Sequence, residues 1–163
     1  MINKELFYIA EQTVQKLKEH GFKVATAESC TGGMVSSFIT SVSGVSEVFE
    51  LGVTSYSNRI KHEILGVDSE TLDKYGAVSE QTAKEMAAGI RKLSCADIGI
   101  SVTGVAGPDG SEGHPPGYVF IALDSEEKTI AKLLNIDPES RNFVREKAVE
   151  AVFGMINKYI EEL

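Results

Sequence analysis

Residues 96 to 104, ADIGISVTG, form a nearly continuous apolar run that ends in a glycine-rich stretch, VAGPDGSEGHPPG. A strand without a polar face has nowhere to meet water, so it belongs inside a sheet covered on both sides, the usual setting of parallel strands. Such a sheet needs helices on both faces. The spacing of apolar residues supplies them: Leu6, Ile9, Ala10, Val14 and Leu17 predict an amphipathic helix over 3–20 that stops at Gly21. Residues 22–28, FKVATAE, then read as a strand, followed by helical spacing through Met34, Phe38 and Ile39. FELGVTSY (49–56) is the next strand, with short helical pieces in NRIKHEILGV and SETLDKYG behind it. Ser79 is placed to cap a helix that carries Ala83, Met86, Ala87, Ile90 and Leu93 on one face. GYVFIALD and KTIAKLLNI predict a hairpin. Asp137 and Pro138 mark the start of a last helix, with Val144, Ala148, Ala151, Val152, Met155 and Tyr159 as its apolar stripe. The expected fold is a single α/β domain over 1–163, a three-layer α/β/α sandwich around a mixed, mostly parallel sheet.

Composition narrows the function. A net charge of −8 with acids spread along the chain leaves no broad basic face for nucleic acid. Two cysteines, Cys30 and Cys95, make no disulfide framework and suit a reducing compartment, with Cys95 expected as a small core residue. No apolar run reaches the ~20 residues a membrane helix needs, and MINKELFYIAEQTVQKLKEH lacks the layout of an export signal. A soluble, cytoplasmic protein is expected, with apolar helices that predict a homodimer. The histidines His20, His62 and His114 are scattered, so neither a metal site nor any other cofactor is expected.

In sheets of this kind ligands gather beyond the carboxyl ends of the strands. Three unusual stretches fall there: AESCTGG (27–33), TSYSNRIK (54–61) and VTGVAGPDG (102–110). In the first, Ser29 or Thr31 could simply cap the following helix. Alternatively, Ser29 could be a nucleophile on a strand-to-helix turn, with N–H groups near Thr31, Gly32 and Gly33 stabilising an oxyanion. A serine needs a base. A histidine triad is open on spacing alone, but Lys61 is better placed, one turn and a little more beyond Tyr56. A lysine amine is a base only when neutral, and desolvation or a neighbouring cation such as Arg59 or Arg141 would lower its pKa. The alternative is a solvated helix lysine. Cys30 is a further candidate nucleophile if its thiolate is stabilised at a helix start. Thr103, Gly104 and Gly107 lie in a loop that is either an anion nest or a tight connection. Arg141 and Arg145 could hold a phosphate, or could pair with Glu139 and Glu146 on the surface.

The blocks AESCTGG (27–33), YSNRIKHEILGV (56–67), GAVSEQTAKEMA (76–87), SVTGVAGPDGSEG (101–113) and PPGYVFIAL (115–123), in this order and at these separations, strongly resemble the CinA C-terminal domain family. That family includes stand-alone bacterial nicotinamide mononucleotide deamidases. The resemblance implies an α/β/α domain that hydrolyses the carboxamide of a small nucleotide, nicotinamide mononucleotide, to give nicotinic acid mononucleotide and ammonia in pyridine nucleotide recycling. It places the nucleophile at Ser29 and the base at Lys61, with Tyr56 and Thr103 beside them and Arg141 opening the last helix. A non-catalytic nucleotide-binding module of the same fold is the alternative. The chain departs from the family pattern at Glu139-Ser140, where a glycine and an acid are usual, which keeps Arg145 as a competitor of Arg141. It departs again at His114-Pro115-Pro116-Gly117, where lysine, proline, an apolar residue and glycine are more common.

Overall fold

The computed structural model describes residues 3–163. In chain order the elements are α1 (Lys4–His20), β1 (Val24–Glu28), α2 (Met34–Thr40), a 3-10 turn (Val45–Glu47), β2 (Phe49–Thr54), α3 (Asn58–Glu63), α4 (Ser69–Tyr75), α5 (Glu80–Ser94), β3 (Ile98–Gly104), β4 (Tyr118–Asp124), β5 (Thr129–Asn135) and α6 (Arg141–Glu161). The sheet has the order β2-β1-β3-β4-β5. β1 pairs in parallel with both β2 and β3, and β4 runs antiparallel to β3 and β5, so only β4 is reversed. The layers are those expected. Among the described residues no helix is long and apolar enough to cross a membrane.

The apolar run of β3 splits by size. Ile98, Ile100 and Val102 join Val24, Ile121 and Leu123 in a core packed against α1, α2 and α6. On the opposite face a Cβ at Gly99 would lie 2.1 Å from the Ala87 carbonyl oxygen, and Ser101 Oγ donates to Ala83 O at 2.6 Å. Small residues on that face let the backbone of α5 come close, and α5 crosses all the strands. Large side chains fill the other side, between the sheet and α1, α2 and α6.

Several local expectations shift. Ser140, not Asp137, caps α6, because its hydroxyl accepts from Phe143 N–H at 3.1 Å. α6 buries Val149, Phe153, Ile156 and Ile160, while Ala151 and Met155 are half-buried, so its contact stripe is broader than the spacing predicts. In α5, Leu93 is exposed, and Thr82 takes a buried place because its hydroxyl bonds Gly76 O at 2.7 Å. Cys95 is no core residue: it is exposed and ends α5 in the left-handed region at φ 56.

The connections place the site. α2 carries the chain from β1 to β2 on the face shared with α1 and α6, whereas α5 precedes β3 on the other face. The chain thus leaves β1 in one direction and reaches β3 in the other. The carboxyl ends of β1 and β3 therefore border an open crevice at the switch point of the sheet.

Candidate active site

That crevice is a cleft of about 250 Å³, with Ser29, Lys61, Tyr56, Thr103, Gly104, Gly107 and Arg141 among its lining. Three loop systems that follow β1, β2 and β3 meet there, together with the first residue of α6.

The turn after β1 is built around a carboxylate. Glu28 is 1% exposed and accepts from Thr31 Oγ1 at 2.7 Å, Gly33 N–H at 3.1 Å, Val35 N–H at 3.0 Å, and Ser36 N–H and Oγ at 2.9 and 2.8 Å. Three of those donors are backbone groups at the start of α2, which its own cap residue, Gly33 at φ 94, cannot satisfy with a side chain. Glu28 therefore does what either Ser29 or Thr31 would do as a cap. The Ser29 hydroxyl is left free, while its N–H continues the ladder to Val102 O at 2.9 Å. The same arrangement corrects part of the expected oxyanion site. Gly32 N–H is taken by Ser29 O at 3.0 Å and Gly33 N–H by Glu28, so Thr31, Gly32 and Gly33 support the turn instead of lining the cleft. Cys30, the residue after Ser29, does line it.

Lys61 reaches the cleft from α3. Ser57 caps that short helix by accepting from Ile60 N–H, which turns Lys61 inward. The side chain is 1% exposed and is the largest fully buried one in the molecule's described part. Its Nζ lies 3.2 Å from Ser29 Oγ and 2.7 Å from the Ser55 carbonyl oxygen. Burial pushes its pKa below the ordinary 10.5, opposed by the Glu112 carboxylate and by Cys30. The expected help from a cation is not what acts here. Arg59 faces away and pairs with Glu63 at 2.6 Å on the surface, so desolvation alone lowers the amine. A neutral Lys61 can give one N–H to Ser55 O and accept the Ser29 hydroxyl proton with its lone pair.

Cys30 is buried, and that burial pushes its thiol up to about 12. At neutral pH it is a protonated thiol and a poor nucleophile.

Thr103 is buried at the end of β3, where its hydroxyl donates to Ala77 O at 2.7 Å. A Cβ at Gly104 would lie 2.7 Å from Val119 Cα, so only glycine lets the loop leave the sheet here. Gly107, at φ 91, offers its carbonyl to Arg141 Nη1 at 2.5 Å. Arg141 Nη2 also donates to the hydroxyl of Tyr56 at 3.2 Å, and the Tyr56 side chain is exposed. Arg141 is thus a strut between two loops with part of its guanidinium in the cleft. Arg145 is not in the lining; it donates to Thr31 O at 2.8 Å and to Asn142 Oδ1 at 3.1 Å. Of the two arginines only Arg141 faces the site.

Glu28 and Glu112 are the residues that pattern reasoning passed over. The signal for Glu28 is a charged residue that closes an otherwise buried strand immediately before a helix start. Glu112 carries no comparable signal in the sequence.

A buried amine against a serine, at the switch point of an α/β/α sheet, defines a class of domain built to present a polar cleft. The CinA C-terminal domain profile matches residues 7–160, and the chain belongs to that family. It is 46% identical over 162 residues to a competence-damage inducible protein, by name, of Acetivibrio thermocellus, covering 99% of this chain and 38% of that one. It is 48% identical over 148 residues to a CinA-like protein of Kosmotoga olearia, covering 90% of this chain and 35% of that one. The chain therefore spans little more than a third of the length of these relatives. Among solved structures, the competence/damage inducible protein CihA of Agrobacterium tumefaciens superposes with a TM-score of 0.92 at 33% identity, over 97% of each chain. A CinA superfamily protein of Klebsiella pneumoniae gives 0.94 at 29% identity, over 97% of this chain and 99% of that one.

Proposed function

We propose that this domain hydrolyses the carboxamide of nicotinamide mononucleotide to nicotinic acid mononucleotide and ammonia, as its resemblance to the stand-alone deamidases implies. The observation that carries the reading is the burial of Lys61 against Ser29 Oγ at 3.2 Å. A module that only bound a nucleotide would gain nothing from desolvating an amine beside a hydroxyl.

Ser29 Oγ attacks the carboxamide carbon as Lys61 Nζ takes its proton. The oxyanion that forms meets the N–H of Cys30, the residue after the nucleophile, with further N–H groups of the loop that follows β3. Lys61 then passes its proton to the amide nitrogen, the C–N bond breaks, and ammonia leaves the acyl-Ser29 ester. Water adds to that ester and gives one proton to Lys61, which returns it to Ser29 Oγ as the ester bond breaks; the product leaves as the carboxylic acid and ionises in solution. Arg141 holds the phosphate, since a guanidinium matches phosphate oxygens and the first turn of α6 adds its own partial positive charge.

Incubation of the protein with nicotinamide mononucleotide, nicotinamide riboside and free nicotinamide, with ammonia as the readout, tests the reading. Release from the mononucleotide, abolished by Ser29→Ala, is the expected result. Binding of the mononucleotide with no ammonia from the unaltered protein overturns the hydrolase and leaves a nucleotide-binding module.

A further inference from the structure

Besides Lys61, the cleft is lined by one cation, Arg141, and two carboxylates, Asp109 and Glu112. Arg141 and Glu112 both border it, and among the described residues neither is in an ion pair. Unpaired opposite charges in a small cleft of an acidic protein fit a ligand that carries both signs.

Glu112 is also held in a way that a solvent-facing loop residue does not need. It forms a two-residue hairpin turn with Gly113, at φ 52 and 79, closed by Ser111 N–H to His114 O at 3.0 Å and His114 N–H to Ser111 O at 2.9 Å. Turns with two positive φ values favour asparagine, aspartate or glycine at the first position, and a glutamate there is strained. Its carboxylate reaches across to the connection before α5, where it accepts from Ala77 N–H at 3.3 Å and Val78 N–H at 3.1 Å. Gly76 makes room for it, since a Cβ there would lie 2.7 Å from Glu112 Oε2. The His114 ring stacks on Tyr118 at 4.2 Å and pins the other side of the turn. The charge is therefore fixed in place. It also works against the proposed base, because it favours the protonated form of Lys61. A strained, anchored carboxylate that opposes the catalytic lysine calls for a compensating role.

We propose that Glu112 is a specificity residue that recognises the cationic pyridinium ring of an N-glycosylated nicotinamide. This rests on the amidase reading above. Nicotinamide joined to ribose through its ring nitrogen bears a full positive charge on the ring, and the mononucleotide adds a negative phosphate on the ribose, whereas free nicotinamide bears neither. Glu112 takes the ring and Arg141 the phosphate, so the cleft sorts the ribosylated amide from the free one by charge. The bound ring offsets the field of Glu112 on Lys61, whose other charged or ionisable cleft neighbours are Cys30, Tyr56, Asp109 and Arg141. The substrate thereby removes the carboxylate's hold on the base.

The test separates ring charge from shape. Nicotinamide mononucleotide and its two-electron-reduced form share ribose, phosphate and carboxamide, but the reduced ring is neutral. Titration calorimetry with the Ser29→Ala protein, which cannot turn over, is expected to show the oxidised form bound ~10-fold more tightly. Adding Glu112→Gln, which keeps the shape and one acceptor oxygen, is expected to abolish that preference by weakening the oxidised ligand alone. Equal weakening of both ligands makes Glu112 a loop anchor and overturns the proposal. So does an unchanged preference, or the absence of any preference in the parent, a result that needs no second variant to fold. Ammonia release by the unaltered protein is scored separately, so failure of the amidase reading is distinct from failure of the charge-sorting one.

Discussion

The floor and the rim of the cleft are held by different forces. At the floor, Glu28, Lys61 and Thr103 are each about 1% exposed, and every polar atom that matters there has a partner in the protein. At the rim, Tyr56 and Arg141 are exposed and tied to each other and to one loop carbonyl. Desolvation fixes geometry and shifts proton equilibria at the floor, while the rim keeps its charge available because water still solvates it. Floor substitutions should therefore alter the chemical step and stability together. Rim substitutions should alter affinity and leave the fold alone.

The largest effects are expected at Ser29 and Lys61. Ser29→Ala and Lys61→Met should each lower kcat by ~10⁴-fold or more in the ammonia assay, since a nucleophile and its base act as one unit. The two should then differ in stability. Methionine fills the length of Lys61 without a charge to desolvate, so Lys61→Met should melt higher than the parent at neutral pH, and a lower melting temperature would contradict the neutral-amine account. The pH dependence has a definite sign. The folded pKa of Lys61 lies below its unfolded value of 10.5, so below the folded pKa the protein must bury a charge. Stability contributed by this group rises with pH from the folded pKa up to 10.5 and then levels, a slope that Lys61→Met should lack in urea titrations across pH. The acidic limb of kcat/KM should fall below 10.5 for the same reason.

Next comes Glu28→Ala, which removes the acceptor of Thr31, Gly33, Val35 and Ser36 groups and should cost about 3 kcal/mol or more in denaturant unfolding. Glu28→Gln is expected to restore only part of this, because its amide turns hydrogens toward N–H donors. At the rim, Arg141→Ala should raise KM for the mononucleotide roughly 10- to 100-fold with melting unchanged, and leave the riboside reaction as it was. Equal losses on both substrates would move Arg141 to the floor's chemistry. Arg145→Ala should change KM by less than about twofold, since its guanidinium is spent on Thr31 O. An equally small effect is expected for Cys30→Ala: activity within about twofold, because a protonated thiol contributes packing and no nucleophile. Loss to background would replace Ser29 by Cys30.

Much of this was readable beforehand where local pattern and burial agree. Each expected strand is found to within a few residues, and the three chemically unusual stretches do converge on one cleft. Misreadings arose where a residue nearby in the chain takes over a local role or a helix ends at the surface. Glu28 caps α2 in place of Ser29 or Thr31, Ser140 starts α6 in place of Asp137, and Cys95 ends a helix on the surface. Glu112 stayed invisible because its partners, Ala77 and Val78, lie 35 and 34 residues away.

The sequence by itself determined the layers, the polarity of each helix and the loops in which chemistry could lie, because these follow from hydrophobic period and from glycine and capping residues acting over a few positions. Which of several hydroxyls, amines and guanidiniums meet was decided only by the tertiary structure. Spacing left Lys61 as either a solvated helix residue or a base, and Arg141 and Arg145 as equals. The fold buries Lys61 against Ser29 Oγ, and it sends Arg145 to a backbone carbonyl while Arg141 lines the cleft. Desolvation is a property of the whole fold around a group, and no stretch of chain encodes it alone.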